Sequence, residues 1–201
     1  MSRWVSVSPE RLTGWLERFA AAHGPVESTV DSSVVTVRGA DGTVAEVMVP
    51  FPPLDGDLVE HARRDRRVGV LLVRLGGYAT GVFVGTRLTA SKVGSRQVHG
   101  RSAAGGQSQQ RFARRREGQV RVALGAAADT AAAVLVPAAS TLDAVVLGGD
   151  RRAVDDVLAD TRLAPLRPLV VEARLDVPDP RLKVLQSTPG LFRAVRIRIT
   201  D

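Results

Sequence analysis

The chain has 201 residues, enough for one sizeable domain or two small ones with a real core, and its lack of cysteine excludes disulfides, thiolate metal sites and thiol nucleophiles. Its 28 Lys and Arg outnumber 21 Asp and Glu to give a formal charge of +7, which points to an anionic partner, nucleic acid first, because clustered cations displace counterions from polyphosphate backbones. No apolar run reads as approaching the roughly 20 residues that span a bilayer, and no basic-then-hydrophobic leader opens the chain, so a soluble cytoplasmic protein is expected.

In chain order, Ser8-Pro9-Glu10-Arg11 places a capping serine before a proline at the first helical position, and Leu12, Trp15, Leu16 and Phe19 recur at helical spacing. A helix is predicted from about 9 to about 22, ending at His23-Gly24. Val35 and Val37, then Val44, Val47 and Val49, flank Gly39-Ala40-Asp41-Gly42 in the pattern of a β-hairpin closed by Pro50-Phe51-Pro52-Pro53. A short helix around 57 to 64 carries His61 and leads to Arg63, Arg64, Arg66 and Arg67, read as a solvated junction. Val68 to Leu75 and Ala79 to Val84, separated by Gly76-Gly77-Tyr78, form an apolar hairpin, and Arg87 to Val93 a third strand. Beyond a long helix, Leu142 to Leu147 is a short apolar strand ending at Gly148-Gly149, and Asp150 caps a helix through Val154, Val157 and Leu158. Leu169 to Val171 reads as another strand, and in the last one Val195, Ile197 and Ile199 alternate with Arg196 and Arg198. Alternating strands and helices predict the α/β class, with a mixed sheet and flanking helices.

Ahead of the long helix, residues 99 to 121 read His-Gly-Arg-Ser-Ala-Ala-Gly-Gly-Gln-Ser-Gln-Gln-Arg-Phe-Ala-Arg-Arg-Arg-Glu-Gly-Gln-Val-Arg, a glycine-rich loop that runs into an arginine-dense helix. Gly-Gly-Gln alone arises easily by chance; its neighbours make it specific. Gly105, Gly106, Gln107, Ser108, Arg111, Phe112, Ala113 and Arg114 together resemble the catalytic loop and following helix of the middle domain of eukaryotic and archaeal class I release factors. Ser102-Ala103-Ala104 lengthen the loop relative to that pattern, which is closer to the release-factor-like peptidyl-tRNA hydrolases of ribosome quality control, in a bacterial, actinobacterial-type branch. The motif match covers about residues 97 to 124, and a looser match runs from 65 onward.

The resemblance implies a release-factor middle-domain (RNase H-like) architecture over 65–201, with the Gly-Gly-Gln loop at about 98–110, and an amino-terminal α/β subdomain, helix plus hairpin, over 1–64. It implies hydrolysis of the ester that joins a nascent peptide to the terminal ribose of tRNA on stalled large ribosomal subunits. Gly105 and Gly106 give backbone conformations closed to larger residues. Gln107 offers its backbone N–H to the developing oxyanion while its side-chain amide orients water; an amide does not titrate near neutrality, so it is no general base. The implied partners are large-subunit ribosomal RNA, peptidyl-tRNA and a glutamine methyltransferase acting on Gln107, with no cofactor and no membrane. A stop-codon reader needs a decoding domain for which there is little room, so codon-independent rescue is expected.

At about 100° per residue, Phe112, Val120, Ala123, Ala127 and Ala131 share one arc of the helix and Arg111, Arg114, Arg115 and Arg121 the opposite one. Arg116 falls on the apolar side, and Gly118 and Gly125 weaken the helix enough to allow a bend. Beside this loop the cationic face reads as an RNA-positioning surface, with Arg101 and His99 added from the loop itself. A noncatalytic stall factor that binds RNA or the ribosome through the same face is the alternative.

Other constellations are weaker. His23, His61 and His99 are scattered without metal-ligand spacing, and surface or loop roles are expected of them. Asp143, Asp150, Asp155 and Asp156 leave a metal-dependent nuclease as a remote option. No P-loop or nucleophile elbow is present, and Gly76-Gly77 and Gly148-Gly149 read as strand-end turns.

Overall fold

The structure is a computed structural model that describes residues 1–74, 76–95 and 107–201, with the side chains of all of these except 107–116. The chain divides into two compact units, Met1–Asp65 with Pro189–Asp201, and Arg66–Thr188.

The first unit is an antiparallel sheet with helices on one face. Its strands are β1 (Ser2–Val7), β2 (Val26–Val30), β3 (Val34–Gly39), β4 (Val44–Met48) and β10 (Val195–Thr200), in the order β1-β10-β4-β3-β2. A 3-10 turn at Pro9–Arg11 leads into α1 (Leu12–His23). Ser8 supplies the extended residue before the proline, but its side chain makes no capping hydrogen bond. Leu12 and Phe19 of α1 join Val35, Val37, Val47, Val195 and Ile197 in one core.

The alternation expected near the carboxyl terminus holds: Val195, Ile197 and Ile199 are buried, and Arg196 and Arg198 are exposed. The strand nevertheless departs from the expected 65–201 domain. It pairs with β1 from Val7↔Val195 to Ser2↔Thr200 and with β4 through Ile197↔Val47. A strand with one apolar face needs a sheet covered on one side only, and the first unit offers that.

α2 (Leu58–Arg63) begins at Asp57, whose carboxylate accepts the Val59 N–H at 2.8 Å and the Glu60 N–H at 3.0 Å. It carries His61 inward, against the surface or loop role expected of it. The ring is buried, Nδ1 accepts the Asp55 N–H at 3.1 Å, and Nε2 donates to the Pro50 carbonyl at 2.9 Å. With both nitrogens bonded to backbone, the imidazole ties the Pro-rich turn to α2.

The second unit has the expected mixed sheet and flanking helices. Strands β5 (Arg67–Arg74), β6 (Gly77–Val84) and β7 (Arg87–Ser95) run antiparallel; β8 (Ala144–Gly149) and β9 (Val170–Leu175) follow parallel to β5, giving the order β7-β6-β5-β8-β9. β5 from Val68 to Val73 and β8 from Ala144 to Gly148 are buried throughout, the signature of strands covered on both faces and the reason they read as unbroken apolar runs. α3 (Gln107–Leu135), α4 (Arg151–Leu158) and a 3-10 segment at Thr161–Leu169 supply Ala128, Ala131, Leu135, Val154 and Leu163 to a core with Leu71, Val82 and Leu147. Leu185 of α5 (Leu182–Ser187) approaches Gly81 on the opposite face. A last short helix, α6 (Pro189–Phe192), belongs to the first unit.

The link from β8 to α4 rests on two adjacent residues. Gly149 has φ of 97°, and a Cβ there would strike the Val73 carbonyl, while Asp150 caps α4 by accepting the Ala153 N–H at 3.0 Å. Asp150→Ala should lower the unfolding free energy by about 1 kcal/mol. Gly149→Ala should cost more, because left-handed backbone strain adds to the collision. Urea denaturation of both variants checks the ranking, and a Gly149→Ala chain as stable as the parent would contradict the geometry.

Candidate functional site

Alanine-rich sequence favours helix and keeps side chains small. Those two properties shape α3. Ala127, Ala128, Ala131 and Leu135 are buried against the sheet, whereas none of the residues 117–126 is fully buried. Gln107 opens the helix about 20 residues before Ala127, which corresponds to roughly 30 Å of helix. The segment that starts at Gln107 is therefore the outer end of a long rod gripped at its inner end.

The expected wheel holds where side chains are described. Ala127 and Ala131 are buried, Val120 and Ala123 half-buried, and Arg121 exposed. Gly118, Val122, Gly125 and Asp129 form an exposed stripe, and the same 3–4 spacing carries it back through positions 115 and 111, those of Arg115 and Arg111. Arg114 lies seven residues before Arg121 on the adjoining stripe. Val122, 59% exposed, is an apolar member of this surface. Helical structure runs unbroken past Gly118 and Gly125, so the two glycines do not interrupt it.

Of the expected site residues, Gly105, Gly106, Arg101 and His99 lie outside the described residues. Gln107, Arg111, Arg114 and Arg115 have described backbone only. Gln107 was expected in the loop; instead α3 begins at Gln107, and Ser108 falls within the first turn. This placement matters chemically, because the first four N–H groups of a helix have no intrahelical acceptor and stand at the positive end of its dipole.

Sequence reasoning did not select Lys92. The register Thr80↔Lys92 and Val82↔Ala90 puts it on the face of the sheet that α3 covers, at an exposed position on the edge strand that precedes the motif. Alternation alone puts Ala90, Lys92 and Gly94 on one face, and the pairing with β6 is what says which face that is. A Cβ at Gly94 would collide with the Tyr78 ring, which packs over that glycine on the same face.

The inner half of α3 is braced from its exposed stripe. Arg162 donates to Asp129 at 2.8 Å and to Asp160 at 2.7 Å, joining the helix to the Thr161–Leu169 segment. Hydrogen bonds from the Arg162 side chain and backbone hold the Asp160 carboxyl down to about 2. A similar cause acts in the first unit, where bonds from His23 at 2.8 Å and the Thr43 N–H at 2.9 Å bring Asp41 to about 2 and fasten the end of α1 to the β3–β4 turn.

Of the four carboxylates that suggested a nuclease, three are engaged elsewhere, and Asp156 stands exposed on α4. Asp143 accepts the Arg67 N–H at 2.6 Å, Asp150 caps α4, and Asp155 pairs with Arg174 at 2.6 Å. Among the described residues no group of three or more His, Asp or Glu could hold a metal ion. Against the expectation that no segment is long and apolar enough to span a bilayer, Glu117–Thr141 is so by length and composition. Alanine dominates that stretch, and the helix there lays Ala127, Ala128, Ala131 and Leu135 on the sheet of its own unit.

Two outcomes follow for the rod. A Cβ at Gly118 or Gly125 meets nothing, so Gly118→Ala and Gly125→Ala should each stabilise the chain by about 0.5–1 kcal/mol in thermal or urea unfolding; a loss would show that these positions are covered. The Asp160 carboxyl has its folded value below its ordinary 3.8, so its contribution is present above about pH 4 and disappears as pH falls through about 2. Asp160→Asn should lower stability at neutral pH and flatten the acid limb of the stability curve, and an unchanged acid limb would contradict this.

The model of the Actinobacteria/chloroflexi VLRF1 release factor family matches residues 66–198. A search of curated proteins by sequence gives no match. Among solved structures, the chain is similar to an archaeal translation termination factor, aRF1, at 15% identity and a TM-score of 0.48, covering 96% of this chain and 66% of that one. A second, described as an archaeal protein, shows 14% identity and a TM-score of 0.44, with 96% and 65% covered. The chain thus spans just under two thirds of the length of either structure. With the family model covering most of the sequence, including the whole second unit, the chain belongs to the Actinobacteria/chloroflexi VLRF1 release factor family.

Proposed function

We propose that the chain is a codon-independent peptidyl-tRNA hydrolase that frees nascent peptides from tRNA on stalled large ribosomal subunits. The observation that carries this reading is the start of α3 at Gln107, directly after Gly105-Gly106 in the sequence, at the outer end of a rod whose sequence there is rich in arginine. Membership of a release-factor family supports it.

In this reading the rod delivers Gln107 to the peptidyl-transferase centre. The Gln107 N–H, free of helical bonding, donates to the oxyanion that forms when water attacks the ester carbonyl, and the positive helix end favours that charge. The two glycines let the backbone approach the ester where a side chain would intervene. The amide side chain of Gln107 holds the attacking water without exchanging its proton, and the proton leaves through groups of the RNA. The ester C–O bond breaks as the ribose oxygen departs and is protonated, releasing a peptide acid and a tRNA with free hydroxyls.

Arg111, Arg114, Arg115 and Arg121, with Lys92 on the sheet face that α3 covers and Arg101 and His99 from the preceding sequence, position the rod on ribosomal RNA by contacting phosphate. Arginine suits that task because its planar fork pairs two phosphate oxygens at once.

The test is single-turnover peptide release from purified large subunits loaded with peptidyl-tRNA. Gly106→Ala and Gln107→Ala should slow release on the order of 10²-fold or more while subunit binding stays nearly unchanged. Replacing Arg111, Arg114 and Arg115 together by Ala should weaken binding and lower the slope of log affinity against log salt by about 2–3. Binding without release by the parent chain would favour the noncatalytic stall factor, and release without ribosomal subunits would favour action on free peptidyl-tRNA.

A further inference from the structure

The open face of the first unit's sheet carries a feature that fold stability does not require. The chain is poor in aromatics, with two tryptophans in all. Trp15 stacks on Phe19 at 5.5 Å beside the core, as expected for a costly apolar side chain. Trp4 is 49% exposed, on the face of β1 opposite the helices.

Register explains what surrounds it. Trp4 pairs with Arg198 and Ser6 with Arg196 on the neighbouring strand β10, so both guanidinium groups rise on the same face as the indole. The Arg196 Cζ lies 4.6 Å from the ring centroid and the Arg198 Cζ 5.9 Å from it. Glu46 on β4 holds Arg198 at 2.5 Å and fixes its place beside the ring. Arg196 makes no ion pair among the described residues. Ser2, Ser6 and Thr200 add hydroxyls at the margin of the same face.

We propose that this face binds single-stranded RNA, with one unpaired base stacked on the Trp4–Arg196 pair and the adjoining phosphate held by Arg196. The chemistry selects this occupant on two grounds. A half-exposed indole and a guanidinium plane are both stacking platforms, and bases splayed out of a helix are what such platforms take. The surplus cation matches phosphate, and a duplex keeps its bases stacked inside and leaves the indole unused. An acidic protein segment would satisfy the arginine and give the ring nothing to stack on. This site belongs to the amino-terminal unit and is independent of Gln107, so it provides a second RNA contact whether or not the chain hydrolyses esters.

The test uses the full chain with Trp15→Phe, which leaves Trp4 as the sole tryptophan. Titration with single-stranded tetra-adenylate RNA should quench Trp4 fluorescence saturably, and raising salt should weaken the effect. Arg196→Ala in the same background should raise the apparent Kd about fivefold or more, since loss of one stacking and phosphate partner is expected to cost at least that. Trp4 is a surface residue, so circular dichroism of Trp4→Ala should match the parent, and that variant should bind fluorescein-labelled tetra-adenylate more weakly. The proposal is overturned if the RNA fails to quench Trp4, if the Kd is unchanged by Arg196→Ala, or if a glutamate-rich peptide quenches equally well, the last marking the face as a docking surface for acidic protein.

Discussion

What holds the inner half of α3 decides what its outer half can do. Ala127, Ala128 and Ala131 bring the helix axis close to the sheet because a methyl group is all that separates them, and Leu135 anchors the far end. Larger side chains there would lift the rod; polar ones would free it. The Asp129–Arg162–Asp160 contacts add a brace on the opposite side, exposed and therefore weak singly, yet correctly placed to resist rocking. A rod fixed in this way carries the start of the helix at Gln107 well beyond the part that the sheet holds. In the proposed reading, that arrangement suits chemistry in which RNA provides most of the reaction environment and the protein provides one donor.

The first unit closes on itself through the chain's two ends. β1 and β10 pair along their length, so the segment Arg66–Thr188 is inserted between two parts of a sheet that is completed only by the last strand. The pairing makes the amino-terminal strand an edge, and its Trp4 is set beside two arginines that lie far away in sequence. Neither strand alone would suggest a binding surface. Their register creates it.

Much of this was legible in the sequence. Apolar runs marked β5 and β8 because strands buried on both faces have no polar positions to interrupt them, and Asp150 announced α4 through its cap. The hairpin of β3 and β4 and the helix at Leu12–His23 followed from period and punctuation. The misses have physical causes. β2 is an edge strand exposed at every residue, so it carries no burial pattern to read. β1 mixes Arg3, Trp4 and Ser6 with its inward valines and becomes recognisable only beside its partner. The Thr161–Leu169 segment contains Pro165 and Pro168, which bar an ordinary helix and hide the regular turns that form. His61 looked like surface because a lone histidine in a charged stretch usually is; its burial depends on two backbone groups, at Asp55 and Pro50, that no spacing rule reveals. The membership of β10 was hidden for the same kind of reason, since alternation states that a strand has one buried face and says nothing about which sheet buries it. Of the candidate site, the motif and the cationic arc were readable, whereas Lys92 needed the β6–β7 register.

The most direct measurement compares Gln107→Pro with Gln107→Ala in single-turnover release from peptidyl-tRNA-loaded large subunits. Proline is tolerated in the first turn of a helix but has no N–H to donate, so the pair separates the backbone donor from the side-chain amide. The account predicts that the proline variant, still folded and bound, releases peptide at least about tenfold more slowly than the alanine variant. Equal rates would contradict the claim that the opening N–H of α3 stabilises the reacting ester.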